Sequence, residues 1–215
     1  VSRYHELAVI LGSDAALCAS MTAREMGAWF LVLDKSPRDS RGGNSRHTRN
    51  VRYAHTSATG HLTGPYSEDE FWEDLIRVTG GHTTEELARL CIRESLNLGD
   101  WMKARGCMFQ PSMRGTLHLS RTNAFFLGGG KGLINSYYAT ADKMGIDVVY
   151  GADVQDMVIE EGFFKSALFV VNGREHRVNA KAAVVASGGF QANLNWLAEH
   201  WGEAIKNFLV RGTPY

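Results

Sequence analysis

HELAVILGSDAALCASMTAREMGAWFLVLD, residues 5–34, reads as a strand, a helix and a second strand. HELAVIL (5–11) is a short apolar run stopped by Gly12, the signature of a buried strand. SDAALCASMTAREMG (13–27) brings Leu17, Cys18, Met21 and Met26 round near helical spacing and closes on Gly27, a helix stop. AWFLVLD (28–34) is apolar without alternation, as in a strand covered on both faces of a parallel sheet. The three elements make a βαβ unit with a right-handed crossover. The expected fold class is therefore α/β with a central parallel sheet.

Outward from that unit, residues 35–66 carry Lys35, Ser36, Pro37, Gly42, Gly43, Gly60, Gly64 and Pro65, and read as irregular. So long a loop between regular elements points to function. SEDEFWEDLIRVTGG (67–81) and TTEELARLCIRESLNLGDWMKARG (83–106) each open on a capping hydroxyl and close on glycine, and are expected to be two scaffold helices without chemistry. GGGKGLINSYYATADKMG (128–145) leads into a helix with Leu133, Ile134, Tyr137, Tyr138 and Ala141 on one face, and DVVYG (147–151) is a third apolar strand. VQDMVIE, SALFVV and EHRV, between residues 153 and 178, alternate with turns at Glu161-Gly162 and Asn172-Gly173 and predict a small antiparallel meander. KAAVVASGGF (181–190) is a small-residue strand broken by a glycine pair, and LNWLAEHWG (194–202) is a helix.

At 215 residues the chain is long enough to bury a sizeable core, and is read as one domain over 1–215. A net charge of zero offers no basic face for nucleic acid. No apolar run approaches the ~20 residues of a membrane span, and no secretory leader is legible at the start, so a cytoplasmic location is expected. Three cysteines without CxxC spacing and eight histidines without HExxH spacing predict thiols in a reducing compartment and no metal. Gly128-Gly129-Gly130-Lys131 fails as a phosphate loop, because Phe125 stands at the upstream glycine position and Gly132 follows the lysine where Ser or Thr is required.

A βαβ unit binds a pyrophosphate through amide hydrogens and the positive end of the helix dipole at its first turn. That turn here runs Leu11-Gly12-Ser13-Asp14-Ala15-Ala16, with Leu11 and Ser13 at positions where GxGxxG has glycine, and Asp14 adding a carboxylate at the helix start. Asp34 ends the second strand about twenty residues after the turn, where an acid accepts hydrogen bonds from an adenosine ribose. Gly42, Gly43, Asn44 and Ser45 suit a loop passing close to a flat ligand. Arg41, Arg46, Arg49 and Arg52 make the same segment locally positive, which suits cofactor phosphates or a polycarboxylate.

Four segments carry a family resemblance: GGNSRHTRN (42–50), AFFLGGGKGLINSYYATADKMGIDVVYGADV (124–154), AAVVASGGF (182–190) and NFLVRGTPY (207–215). With them the chain resembles the FAD-dependent tricarballylate dehydrogenase branch of the fumarate reductase/succinate dehydrogenase flavoprotein family. The resemblance implies a Rossmann-like FAD-binding domain with a central parallel sheet and a small antiparallel β-meander. It implies that Gly12, Ser13 and Ala15 hold the FAD pyrophosphate, and that Asp34, where the family usually has Glu, holds the ribose with Lys35 beside it. Gly43, Asn44 and Ser45 would line the flavin, Val154 would contact adenine through its backbone, and Ala186, Ser187 and Gly188 would match a family turn. Asn44 stands where some relatives carry a flavin-linking histidine, so the expected FAD is noncovalent.

By the same resemblance the activity is hydride transfer from a tricarboxylate or dicarboxylate to flavin N5, of the tricarballylate-to-aconitate kind. A separate electron-acceptor protein would take the electrons. Members are about twice as long, continuing into a capping domain and a returning FAD segment, so this stretch corresponds to the N-terminal part and no catalytic residue is transferred. Two further readings stay open: a non-catalytic remnant that keeps the fold with an impaired turn, and an NAD(P) reductase domain, which fits the βαβ unit but not the GGNS loop.

Overall fold

The structure, a computed structural model, describes residues 5–11, 14–113, 118–209 and 212–213. The chain divides into two compact units, Val1–Arg46 with Tyr138–Tyr215, and His47–Tyr137. The first unit contains β1 (His5–Leu11), α1 (Asp14–Glu25) and β2 (Phe30–Asp34). The second contains β3 (Asn50–Arg52), α2 (Glu68–Thr79), α3 (Glu85–Glu94), α4 (Leu98–Ala104) and β4 (Asn123–Phe125). The division falls within α5 (Gly129–Lys143), after which the first unit resumes with β5 (Val148–Tyr150), β6 (Asp153–Glu160), β7 (Phe163–Val171), β8 (Arg174–Ala186) and α6 (Leu194–Trp201).

In the first unit the strands run in the order β5-β2-β1-β8-β7-β6. β5, β2, β1 and β8 are parallel, and β8, β7 and β6 are antiparallel. The expected α/β fold, parallel sheet and meander are all present. α1 packs on this sheet with Leu17 and Met21 fully buried, and Leu33, Ala152, Ala167, Phe169, Val178 and Ala180 form a core cluster. Both meander turns place two consecutive residues at left-handed φ, Glu161 at 52° with Gly162 at 80°, and Asn172 at 50° with Gly173 at 73°. Such turns match the right-handed twist of the strands they join.

One expectation is corrected here. EHRV and KAAVVA are not two strands but one, since no glycine or proline interrupts Val178-Asn179-Ala180-Lys181. The first half of β8 pairs antiparallel with β7 as far as Asn179, opposite Ser166. Its second half pairs parallel with β1, from Ala180 opposite His5 to Ala186 opposite Leu11. A single strand thereby belongs to both halves of the sheet.

In the second unit β3 and β4 pair antiparallel, Asn50 opposite Phe125, a two-stranded ribbon too short to be read from sequence. α2 starts on Ser67, whose side chain accepts the Glu70 amide, and stops at Gly80 with φ 61°. The single helix expected over 83–106 is broken by a 3₁₀ turn at Ser95–Asn97. The Ser95 hydroxyl donates to the Ile92 carbonyl at 2.6 Å and accepts the Ala54 amide at 3.0 Å, tying the break to a neighbouring segment. The GGGK segment is a turn into α5: Gly128 and Gly129 have φ of 81° and 62°, and a β-carbon on Gly132 would lie 2.3 Å from the Leu127 carbonyl oxygen.

Candidate cofactor site at the strand ends

Parallel register decides which residues meet at the carboxyl edge of the sheet. Tyr150 lies opposite Asp34, Asp34 opposite Leu11, and Leu11 opposite Ala186, so the four form a row across β5, β2, β1 and β8. The chain passes from β1 to β2 on one side and returns through β8 on the other. In open α/β sheets ligands bind outside the carboxyl ends at such a switch point. Ser187 and Gly188 continue from Ala186; both are exposed, and Gly188 has φ 75° with nothing within 4 Å of a β-carbon position.

α1 begins at Asp14, three residues after the last residue of β1, and the first amides of a helix lack intrahelical partners. Gly12 and Ser13 lie outside the described residues. Ala15 is exposed in the first turn of α1. The Asp14 carboxylate accepts the Ser45 hydroxyl at 2.8 Å, so a residue expected at the flavin is bonded to an acid at the helix start.

Asp34 is only 1% exposed, and its oxygens already have partners. Oδ1 accepts the Ser36 amide at 2.9 Å and the Ser36 hydroxyl at 2.7 Å, a turn that a short aspartate closes two residues ahead of itself. Oδ2 accepts the Tyr138 hydroxyl at 3.1 Å. Burial, reinforced by the Asp34 charge, pushes the Tyr138 hydroxyl far above the ordinary phenol range, so it stays a donor. Arg41 lies over the Tyr138 ring with its guanidinium carbon 4.0 Å from the centroid, and donates to the Tyr150 hydroxyl at 3.1 Å. Lys35 pairs with Asp153 at 3.0 Å in solvent.

The glycine loop follows. Gly42 and Gly43 have φ of 101° and 53°, and both are buried. Asn44 turns its Oδ1 to the Thr213 amide at 2.9 Å, and a β-carbon on Gly212 would come within 3.2 Å of that oxygen. Asn44 thus pins the 212–213 segment to the loop. Val154 is half-buried on β6, the outer strand, beside a register shift between Val154 and Asp156. The loop arginines have separate roles. Arg46 donates to the Asp39 carbonyl at 3.4 Å, while Arg52, in the second unit, pairs with Asp74 at 3.4 Å.

The second unit holds a buried polar cluster that sequence reading missed, because its members have no motif spacing. The Tyr53 hydroxyl and His61 Nε2 share a hydrogen bond of 2.8 Å, and Thr59 reaches His61 Nδ1 at 3.2 Å. Burial, with the Asp100 charge nearby, pushes the Tyr53 hydroxyl up to about 12, and burial holds His61 below its usual value. The Tyr66 hydroxyl donates to Asp74 at 2.8 Å, and Arg121 clasps Glu70. These contacts read as scaffold chemistry within that unit.

Residues 8–212 match the family described as the FAD binding domain. The chain belongs to the FAD binding domain family. Among curated proteins it is 27% identical over 197 residues to the NADH:fumarate oxidoreductase of Klebsiella pneumoniae (strain 342), covering 88% of this chain and 21% of that protein. It is 25% identical over 202 residues to the probable fumarate reductase Ifc3 of Shewanella frigidimarina (strain NCIMB 400), covering 90% of this chain and 34% of that one. The chain therefore spans well under half the length of these curated relatives.

The open conformation of a flavocytochrome c3 fumarate reductase shares the fold with a TM-score of 0.83 at 20% identity, over 99% of this chain and 38% of that one. The 3-ketosteroid-Δ4-(5α)-dehydrogenase of Rhodococcus jostii RHA1 does so with a TM-score of 0.79 at 20% identity, over 93% and 49%. Among the described residues no helix is long and apolar enough to cross a membrane.

The frame of this FAD binding domain fits its cofactor. The strand-end row lies at the switch point, the 42–43 backbone takes a conformation open mainly to glycine, and an open glycine follows β8. Asp14, at the helix start, and Asp34, the acid expected at a ribose, each have a carboxylate already bonded within the chain.

Proposed function

We propose that this chain is the FAD-binding part of a flavin-dependent dehydrogenase that oxidises a carbon–carbon bond beside a carboxylate, of the tricarballylate-to-aconitate kind. The observation that carries this reading is the family match over 8–212, which spans the Leu11, Asp34 and Ala186 row. The fumarate chemistry named for the Klebsiella relative supports a dicarboxylate or tricarboxylate substrate.

In this assignment Gly12, Ser13 and Ala15 present amide hydrogens to the diphosphate. Asp34, with Lys35 beside it, receives the ribose, and the Val154 backbone meets adenine. Gly43, Asn44 and Ser45 flank the flavin, and Ala186, Ser187 and Gly188 close the remaining side. Bound there noncovalently, FAD supplies a hydride acceptor; the protein's share is binding, orientation and exclusion of water. Arg41 adds positive charge next to the ribose acid, and a separate acceptor protein takes the electrons onward. No catalytic residue is assigned within this chain.

Titration of purified protein with FAD tests the reading. Flavin fluorescence is expected to be quenched on binding, while bleaching of the bound flavin by anaerobic tricarballylate is expected only of a protein that also carries the capping domain, and not of this stretch alone. A second reading, a scaffold that keeps the fold without cofactor, draws on the inward hydrogen bonds of Asp14 and Asp34. Absence of quenching at tens of micromolar FAD would favour that second reading.

A further inference from the structure

We propose that the Asp14 carboxylate is a built-in competitor for the cofactor diphosphate, so that the chain takes FAD weakly and loss of this one charge tightens binding. The inference rests on the FAD reading above and adds an affinity-setting residue to it.

The start of α1 is the positive end of a twelve-residue helix, with amides that have no partner in the helix. Those are the groups a diphosphate uses. Asp14 is the first residue of that helix and supplies the same charge from within the chain. Its position is held from the facing loop, because the half-buried Ser45 hydroxyl donates to Asp14 Oδ1 at 2.8 Å. That bond commits the Ser45 hydrogen to the internal acid rather than to a phosphate oxygen.

The neighbouring acid in the row is likewise held from within the chain. Asp34, next to Leu11 in the strand-end row, is sealed at 1% exposure by Ser36 and Tyr138. Both acids at the carboxyl edge are therefore satisfied by the protein's own donors. A diphosphate arriving at α1 meets a like charge at the helix start and a loop hydroxyl already in use. Like charges within a few ångströms at a partly shielded site oppose each other strongly enough to move affinity by about tenfold or more.

The test compares the unsubstituted protein with Asp14→Asn and Asp14→Glu, each stripped of flavin. Dissociation constants for FAD, ADP and adenosine are measured by fluorescence quenching and calorimetry. Asp14→Asn keeps an oxygen for Ser45 and removes the charge, so FAD and ADP are expected to bind about tenfold tighter. Adenosine, which has no phosphate, is expected to bind unchanged, and Asp14→Glu is expected to give no gain. The advantage of Asp14→Asn should also shrink as salt is raised, because screening weakens the repulsion it removes.

Equal FAD affinity in the unsubstituted protein and Asp14→Asn would overturn the inference and leave the FAD reading standing. A gain for adenosine as large as that for ADP would overturn it too, since the effect would then come from loop rearrangement. Absence of FAD binding in all three proteins would remove both the inference and the reading.

Discussion

Gly99 sits in α4 where a β-carbon would come within 2.6 Å of the Tyr53 hydroxyl oxygen. That hydroxyl is the group bonded to His61, so the missing side chain makes room for a buried hydrogen bond. Gly99→Ala gains roughly 1 kcal/mol of helix propensity but forces overpacking that costs about 1–3 kcal/mol, and the larger cost wins. Thermal denaturation should show a lower Tm, and much of the loss should persist in a Tyr53→Phe background, because the ring carbon Cζ would still lie 2.9 Å from the added β-carbon. None of this was legible in the sequence, where Gly99 reads only as a weak spot in a helix. Asp34 shows the same limit differently. Its place at a strand end was legible from the βαβ pattern, whereas its partner Tyr138 lies far along the chain and shares no motif with it.

At the scale of elements, the chain departs from its reading where helical periodicity runs on through a break. Leu90, Cys91, Leu98 and Met102 keep apolar spacing on both sides of Ser95, so the pattern alone predicts one helix. The break follows from a contact outside the helix, the Ala54 amide on the Ser95 hydroxyl. Ser95→Ala strands that amide, and unfolding in urea should show a loss of about 1–3 kcal/mol. Restoration of the loss by Ser95→Thr would confirm that the hydroxyl is responsible. The meander was legible because Glu161-Gly162 and Asn172-Gly173 are strong turn signals. The union of its last strand with the parallel sheet was hidden, since pairing partners are set by tertiary contacts.

For the whole molecule, the acid limb of stability follows from the second unit. Glu70 is held below the usual carboxylate range by its hydrogen bond from Arg121, and Asp74 by that from Tyr66. A folded value below the unfolded one, about 4.3 for Glu and 3.9 for Asp, gives stabilisation that is complete above those values and is lost as pH falls through the folded ones. His61, also lowered, takes its proton first in the unfolded chain, so stability begins to fall below about pH 6.5. Denaturant midpoints followed by tryptophan fluorescence should therefore decline in two stages, gently below pH 6.5 and more steeply below about pH 4. Arg121→Met should flatten the second stage. The α/β class was legible in apolar runs and glycines, and the strand-end row follows from it, but the hydrogen bonds of Asp14 and Asp34 to Ser45 and Tyr138 were not legible, because they join residues far apart in the chain. The shared strand β8 also sets an order of events at the ribosome. β1 is synthesised long before β8, so one of its two parallel neighbours arrives only with residues 180–186. Until then its open edge is exposed to pairing with other nascent chains, so slow translation or a deficit of chaperones should lower the yield of this protein more than its final stability would suggest.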